Sequence, residues 1–205
     1  MHLVLTTPEG GELWVGGIHA AGDVEFLRRN GISCLLACAS NCPVARTPQL
    51  KHLGTYDGTA VVKGDIKWFA VLALLDVVGQ ELRAGGRVLT ACKNGAHRSA
   101  TVAALLLCFL CGETPRVVME HISRVREMCD FDSLHPDRRN FNVPLKTPRQ
   151  FLEAKAVELR AAHDALETHE KMMLNTIMTP GSFQKFCLIN SVNFPDSVTQ
   201  SEFFM

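Results

Sequence analysis

A three-layer α/β domain is the fold the sequence predicts, and three observations predict it. Residues 88–91 are a short apolar run ending on Cys92, and a loop with Gly95 at its middle follows. Arg98-Ser99 then opens an almost wholly apolar segment, residues 100–111, stopped by Gly112. The run reads as a buried strand and the segment as a buried helix with a glycine just past its end. Upstream, residues 32–39 form a second continuous apolar run, a second buried strand. Helical periodicities separate such runs along the chain, so strands alternate with helices around one strand–loop–helix unit.

In chain order, residues 2–5 and 12–15 read as strands joined through Pro8-Glu9-Gly10-Gly11, a hairpin that Gly16-Gly17 closes. Asp23 is placed to N-cap a short helix over residues 24–29, which Asn30-Gly31 ends. Residues 40–51, with Pro43 and Pro48, are loop-like. Residues 52–56 read as a short strand that delivers Asp57 into Gly58-Thr59. Asp65 reads as the N-cap of a helix over residues 66–82, with Ile66, Phe69, Ala70, Ala73, Leu74 and Val77 on its apolar face. Gly85-Gly86 then leads into the strand carrying Cys92. Thr114 caps a helix over residues 115–128 that has Pro115 at its first position and Val118, Ile122 and Val125 along one side. Residues 129–146, with Pro136 and Pro144, read as irregular.

Thr147-Pro148 opens a long helix reaching about residue 178. Leu152, Leu159, Leu166 and Met173 recur along it at every seventh position. The companion seam, Ala156, His163, Glu170 and Ile177, is too polar for a two-stranded coil. The stripe, with Phe183, Phe186, Phe194, Phe203 and Phe204 beyond it, is therefore expected to pack on its own domain. A monomer follows, with a homodimer through this helix as the alternative.

A chain of 205 residues is long enough for one full core with some excess. Lys+Arg and Asp+Glu are both 21, a balance that argues against a general nucleic-acid or anionic-membrane binder. No signal peptide is expected, since acidic and glycine residues fall early in the chain. The longest apolar run, residues 100–111, is too short to span a bilayer. Eight cysteines occur, and Cys34, Cys38 and Cys42 are spaced by four with no histidine at finger-like spacing after them. They read as core thiols of a reducing compartment, cytoplasmic or nuclear, with no metal or cofactor expected. Cys108 and Cys111 read as buried within their helix, which removes a redox role.

The chemistry resides at residues 92–99. Backbone N–H groups of a loop curling into a helix N-terminus point inward, and the helix dipole adds positive potential. Arg98 can hold two oxygens of a phosphate with its planar fork. The same field stabilises a thiolate at Cys92. Gly95 permits a positive φ where the loop turns. Ser99 reads either as a hydroxyl for the sulfur or as a helix cap.

Cys92-x2-Gly95-x2-Arg98-Ser99 resembles the signature of the cysteine-dependent protein phosphatases, and its surroundings look most like the dual-specificity class. Leu13-Trp14-Val15-Gly16-Gly17, the helix after Asp23 and Gly31-Ile32 follow that family's opening order, so the resemblance spans roughly residues 12–168. It implies a protein-tyrosine-phosphatase-like domain over residues 1–168 and leaves 169–205 as a C-terminal extension without a counterpart. It implies hydrolysis of phosphotyrosine and phosphoserine/threonine in a protein substrate through a phosphocysteine. Cys92 would be the nucleophile and Arg98 the phosphate clamp, with Ser99 assisting departure of the thiolate. The backbone of Lys93, Asn94, Gly95, Ala96, His97 and Arg98 would line the phosphate site. Asp57 is favoured as the proton donor, with Asp65, or neither aspartate, as the alternatives. The family carries a histidine before the cysteine that orders the loop and keeps the thiol acidic; here that position is Ala91. His97 stands either as a rim residue, a partial substitute for that histidine, or an exposed residue without a role. Lys93 is similar to lipid-directed relatives, but the place of their second basic residue holds Ala96. The alternative functions are a pseudophosphatase or phospho-ligand-binding module, and a phosphoinositide or RNA 5′-phosphatase.

Overall fold

Alternating apolar residues and a glycine turn make the N-terminal hairpin. Strands β1 (His2–Thr6) and β2 (Glu12–Gly17) pair antiparallel around Gly10, whose φ is 85°. The computed structural model describes residues 1–40, 42, 45–63, 66–133 and 146–173, with backbone alone at 59 and 167–173. After β2 come two short helices, α1 (Ile18–Gly22) and α2 (Val24–Arg29), then β3 (Cys34–Ala37) and β4 (Lys51–Thr55). Helices α3 (Gly58–Lys63) and α4 (Trp68–Arg83) lead to β5 (Arg87–Cys92). The chain continues through α5 (Arg98–Cys111), α6 (Pro115–Val125), α7 (Pro148–Ala154) and α8 (Ala156–Met173).

The strands form one sheet in the order β1-β2-β5-β3-β4, parallel except for β1. Period-two alternation along β5 divides its side chains between two cores. Val88 and Cys92 face the larger one, beneath α4, α5, α6 and α7, while Leu89 and Ala91 face the smaller one with Ala21 of α1 and Leu27 of α2. The three layers are those the sequence predicts. Because β5 lies between β2 and β3, the C-terminal ends of three parallel strands open together at one edge. That edge is where parallel α/β sheets place ligands.

Local signals hold at most element ends. Asp23 Oδ1 accepts the Phe26 N–H at 2.9 Å, Thr114 accepts from Val117, and Thr147 forms a reciprocal capping box with Gln150. Gly112 closes α5 with φ 65°.

Several expectations are corrected. Helix α4 starts at Trp68, with Lys67 at its N-cap position and no side-chain cap, rather than at residue 66 behind Asp65; Asp65 itself lies outside the described residues. Its buried face is Val71, Leu75, Val78 and Leu82, and of the stripe expected only Leu74 is buried. The helix is apolar nearly all round, so its composition does not mark which side meets α5. Two short helices, α1 and α3, occupy segments without enough residues to carry a periodicity. Helix α6 ends at Val125, three residues early, because Arg126 leaves helical geometry at φ −136°, ψ 88°. The helix from Pro148 is two helices, broken at Lys155, and its expected end near residue 178 lies outside the described residues. Cys111 is exposed at the end of α5 whereas Cys108 is buried.

Leu152 and Leu159 are buried in the larger core and Leu166 packs against it. The leucine row therefore faces its own domain, and His163 of the companion seam is also buried, its Nδ1 2.9 Å from the Phe109 carbonyl.

Candidate active site

Strand β5 delivers Cys92 to the open edge of the sheet, and the loop after it curls into α5, whose first residue is Arg98. Gly95 takes φ 72° at the turn, and a Cβ there would lie 2.6 Å from the Gly16 carbonyl group. Gly17 also abuts the loop, since its Cβ would meet the Lys93 carbonyl oxygen at 3.1 Å. The glycine pair that closes β2 is thus the surface against which the loop is folded. Sequence reading assigned that pair to the end of the hairpin and to the family's opening order, without a contact to the loop.

Cys92 is 2 % exposed. Its Sγ lies 3.2 Å from the Ser99 hydroxyl and accepts the Gly95 N–H at 3.3 Å. Burial pushes the thiol pKa up, but the Ser99 hydroxyl, the Ser99 and Gly95 amides and the Arg98 charge together outweigh it, leaving the pKa below the usual thiol value. The neighbouring thiols shift the other way. Burial raises Cys38 and Cys42, and it raises Cys129 to about 11; the Cys92 charge adds to the rise at all three. Among these four thiols, Cys92 is the one whose surroundings favour the charged form beyond the cost of burial.

Ser99 is the second residue of α5 and points at the sulfur, while His97 holds the N-cap position without a side-chain cap. The cap reading of Ser99 is therefore set aside. Arg98 is half-buried, and its Nε has no hydrogen-bond partner among the described residues. A buried cationic donor left in that state favours any anion that can accept from it. Lys93 and Asn94 are exposed at the loop's outer rim, and Ala96 is buried. The His97 ring nitrogen lies 2.9 Å from the Asp130 carbonyl, and the groups that lower the Cys92 pKa do not include His97. It braces the loop from outside, through the segment that follows α6. Ala91 explains why the family's histidine has no place: it is 0 % exposed and packs on the far side of the sheet with Ala21, Leu35 and Leu89.

Asp57 lies two residues past the end of β4 and precedes Gly58, the first residue of α3. A Cβ on Gly58 would meet the Arg98 carbonyl oxygen at 2.7 Å, so the Asp57-Gly58 backbone is pressed against the start of α5. Asp57 is thereby carried to the same edge as Cys92 and Arg98.

One residue with no signal in the sequence joins the site. Arg126 is 7 % exposed and lies at the end of α6. Its Nε donates to the Gly95 carbonyl at 2.8 Å and its Nη2 to the Asn94 carbonyl at 2.9 Å. Groups of three or more His, Cys, Asp or Glu side chains able to hold a metal ion do not occur among the described residues.

Solved structures share this architecture. Human DUSP28 superposes with a TM-score of 0.52 at 21 % identity, covering 77 % of this chain and 94 % of that one. The Yvh1 phosphatase domain from Chaetomium thermophilum gives 0.55 at 15 % identity, over 79 % and 99 %. A human tyrosine phosphatase-like serine/threonine/tyrosine-interacting protein gives 0.54 at 16 % identity, over 77 % and 97 %. No family model and no curated protein matches the sequence. The chain has the fold of the dual-specificity phosphatases.

Proposed function

We propose that the chain is a cysteine-dependent phosphatase acting on phosphotyrosine and phosphoserine/threonine of protein substrates. The observation that supports it best is the Cys92 thiol. It is buried yet held acidic by Ser99, Gly95 and Arg98, beside a guanidinium with an unpartnered buried donor. In this reading the thiolate attacks phosphorus, the P–O bond to the leaving oxygen breaks, and Asp57 gives that oxygen its proton. Water then attacks the phosphocysteine and Asp57 takes its proton. The P–S bond breaks, and the Ser99 hydroxyl hydrogen-bonds the departing thiolate. Arg98 and the inward amides hold the equatorial oxygens through both steps. Residues 1–168 would form this domain and 169–205 an extension of it.

Hydrolysis of para-nitrophenyl phosphate by wild type and Cys92→Ser tests the mechanism. Serine keeps the site's shape without a thiolate, so turnover should vanish while orthovanadate still binds. Activity above about a tenth of wild type, a loss under 1.4 kcal/mol of barrier, would sink the covalent route. A wild type that binds phosphate without hydrolysing any monoester would make the chain a phospho-ligand-binding module instead.

A further inference from the structure

The loop after Cys92 needs its amides turned inward, and something must hold its carbonyls outward. A trans peptide puts C=O and N–H on opposite sides, and none of the described peptide bonds is cis. Three consecutive loop carbonyls are held by one short segment at and beyond the end of α6. Arg126 donates to the carbonyls of Asn94 and Gly95. The Cys129 thiol also faces the Gly95 carbonyl, at 3.7 Å. The Asp130 N–H donates to the Ala96 carbonyl at 3.1 Å, and His97 leans on the Asp130 carbonyl. With those carbonyls fixed outward, the N–H groups of Gly95, Ala96 and His97 face the opposite way. The Gly95 N–H is indeed the one that reaches Cys92 Sγ.

Arg126 is itself aimed by two constraints. Its backbone N–H still closes the last turn of α6 on Ile122, at 2.8 Å. Its third nitrogen, Nη1, donates to Nδ1 of His2 on β1 at 2.7 Å, and His121 of α6 reaches the Val4 carbonyl of the same strand at 2.8 Å. The guanidinium is thus spanned between β1 and the loop, and its rigid planar fork places separate nitrogens on two adjacent carbonyls, a geometry a single ammonium nitrogen lacks. Gly95 is trapped between it and β2, because a Cβ there would lie 2.8 Å from Arg126 Nη2.

We propose that Arg126 is a positioning residue for the phosphate-binding loop: it orders the amides that hold the anion and stabilise the Cys92 thiolate. The inference rests on the reading of residues 92–99 as a thiolate and phosphate site.

The test uses the full chain with Arg126→Gln and Arg126→Lys, melting being recorded to establish that each is folded. Two readouts need no turnover: iodoacetamide alkylation of Cys92 against pH, and binding of inorganic phosphate by calorimetry. In Arg126→Gln the alkylation midpoint should rise by about one pH unit, a tenfold loss of thiolate preference, and phosphate affinity should fall about tenfold. Arg126→Lys should recover only part of both, having a single nitrogen and no planar fork to place on two carbonyls. A folded Arg126→Gln with both readouts at wild-type values would overturn the proposal, as would full recovery by lysine. Should Arg126→Gln fail to fold, Arg126→Lys decides alone: wild-type values in both readouts overturn the role and a shift in both supports it. The enzymatic reading fails separately. If wild type hydrolyses no monoester while Arg126→Gln still shifts both readouts, the positioning role stands and the phosphatase assignment falls.

Discussion

At Cys92 two opposed effects meet, and their balance decides the chemistry. Burial alone would make this thiol as inert as Cys108, which burial raises to about 12. Hydrogen bonds from Ser99 and Gly95 and the charge of Arg98 reverse the outcome at Cys92. Arg98→Lys keeps the charge but loses the fork, and an interaction of this kind in a transition state is worth roughly 2.7–4 kcal/mol. Turnover should fall by about 100- to 1000-fold. A loss below about fivefold, measured with para-nitrophenyl phosphate, would mean that Arg98 does not clamp the phosphate. Ala91 carries the opposite expectation. Overpacking a filled core costs roughly 1–3 kcal/mol, so Ala91→His should lower the melting temperature, by about 2–4 °C per kcal/mol for a chain of this size. An unchanged melting temperature with a lower alkylation midpoint for Cys92 would mean that the small core has room for the ring.

Among the elements, the decisive contacts are between backbones. Gly58 at the start of α3 meets the Arg98 carbonyl, and Gly16-Gly17 at the end of β2 meets the loop. Side chains at Gly17 or Gly58 would press on Lys93 and Asn94 of the loop or on the Arg98 backbone, pushing apart the pieces that carry Asp57, Cys92 and Arg98. Gly58→Ala should therefore separate α3 from α5 and move Asp57 relative to the sulfur. A displacement near 1 Å costs on the order of 100-fold in rate. Steady-state kinetics with para-nitrophenyl phosphate should show that loss in kcat. Wild-type kcat in a folded Gly58→Ala protein would remove Asp57 from the proton-donor role.

Over the whole molecule, the leucine row of α7 and α8 is spent on the domain's own core. Leu152 and Leu159 are buried against α5 and its neighbours, which leaves little of the stripe for a second copy. Light scattering of the full chain should give a monomer. Truncation after residue 168 cuts into α8 (Ala156–Met173) and should reduce solubility. A dimer that becomes a soluble monomer on truncation would make the C-terminal segment an assembly element. No helix among the described residues is long and apolar enough to cross a membrane.

The sequence by itself determined the elements whose causes are local. The strand–loop–helix at residues 88–111, the caps Asp23, Thr114 and Thr147, the hairpin turn and the glycine after α5 all follow from propensities within a few residues. The Cys92, Arg98 and Ser99 pattern was legible for the same reason, being contiguous in the chain. Tertiary structure alone decided which face of α4 is buried, since an almost uniformly apolar helix carries no directional pattern. It also decided the break at Lys155, where apolar spacing runs on across the kink. Ala91 reads as a loss beside Cys92 in one dimension, and only sheet packing turns it toward α1 and away from the loop. Arg126 lay beyond sequence reading altogether. Its partners, Asn94, Gly95 and His2, are distant in the chain, and hydrogen bonds to backbone carbonyls leave no side-chain pattern to find.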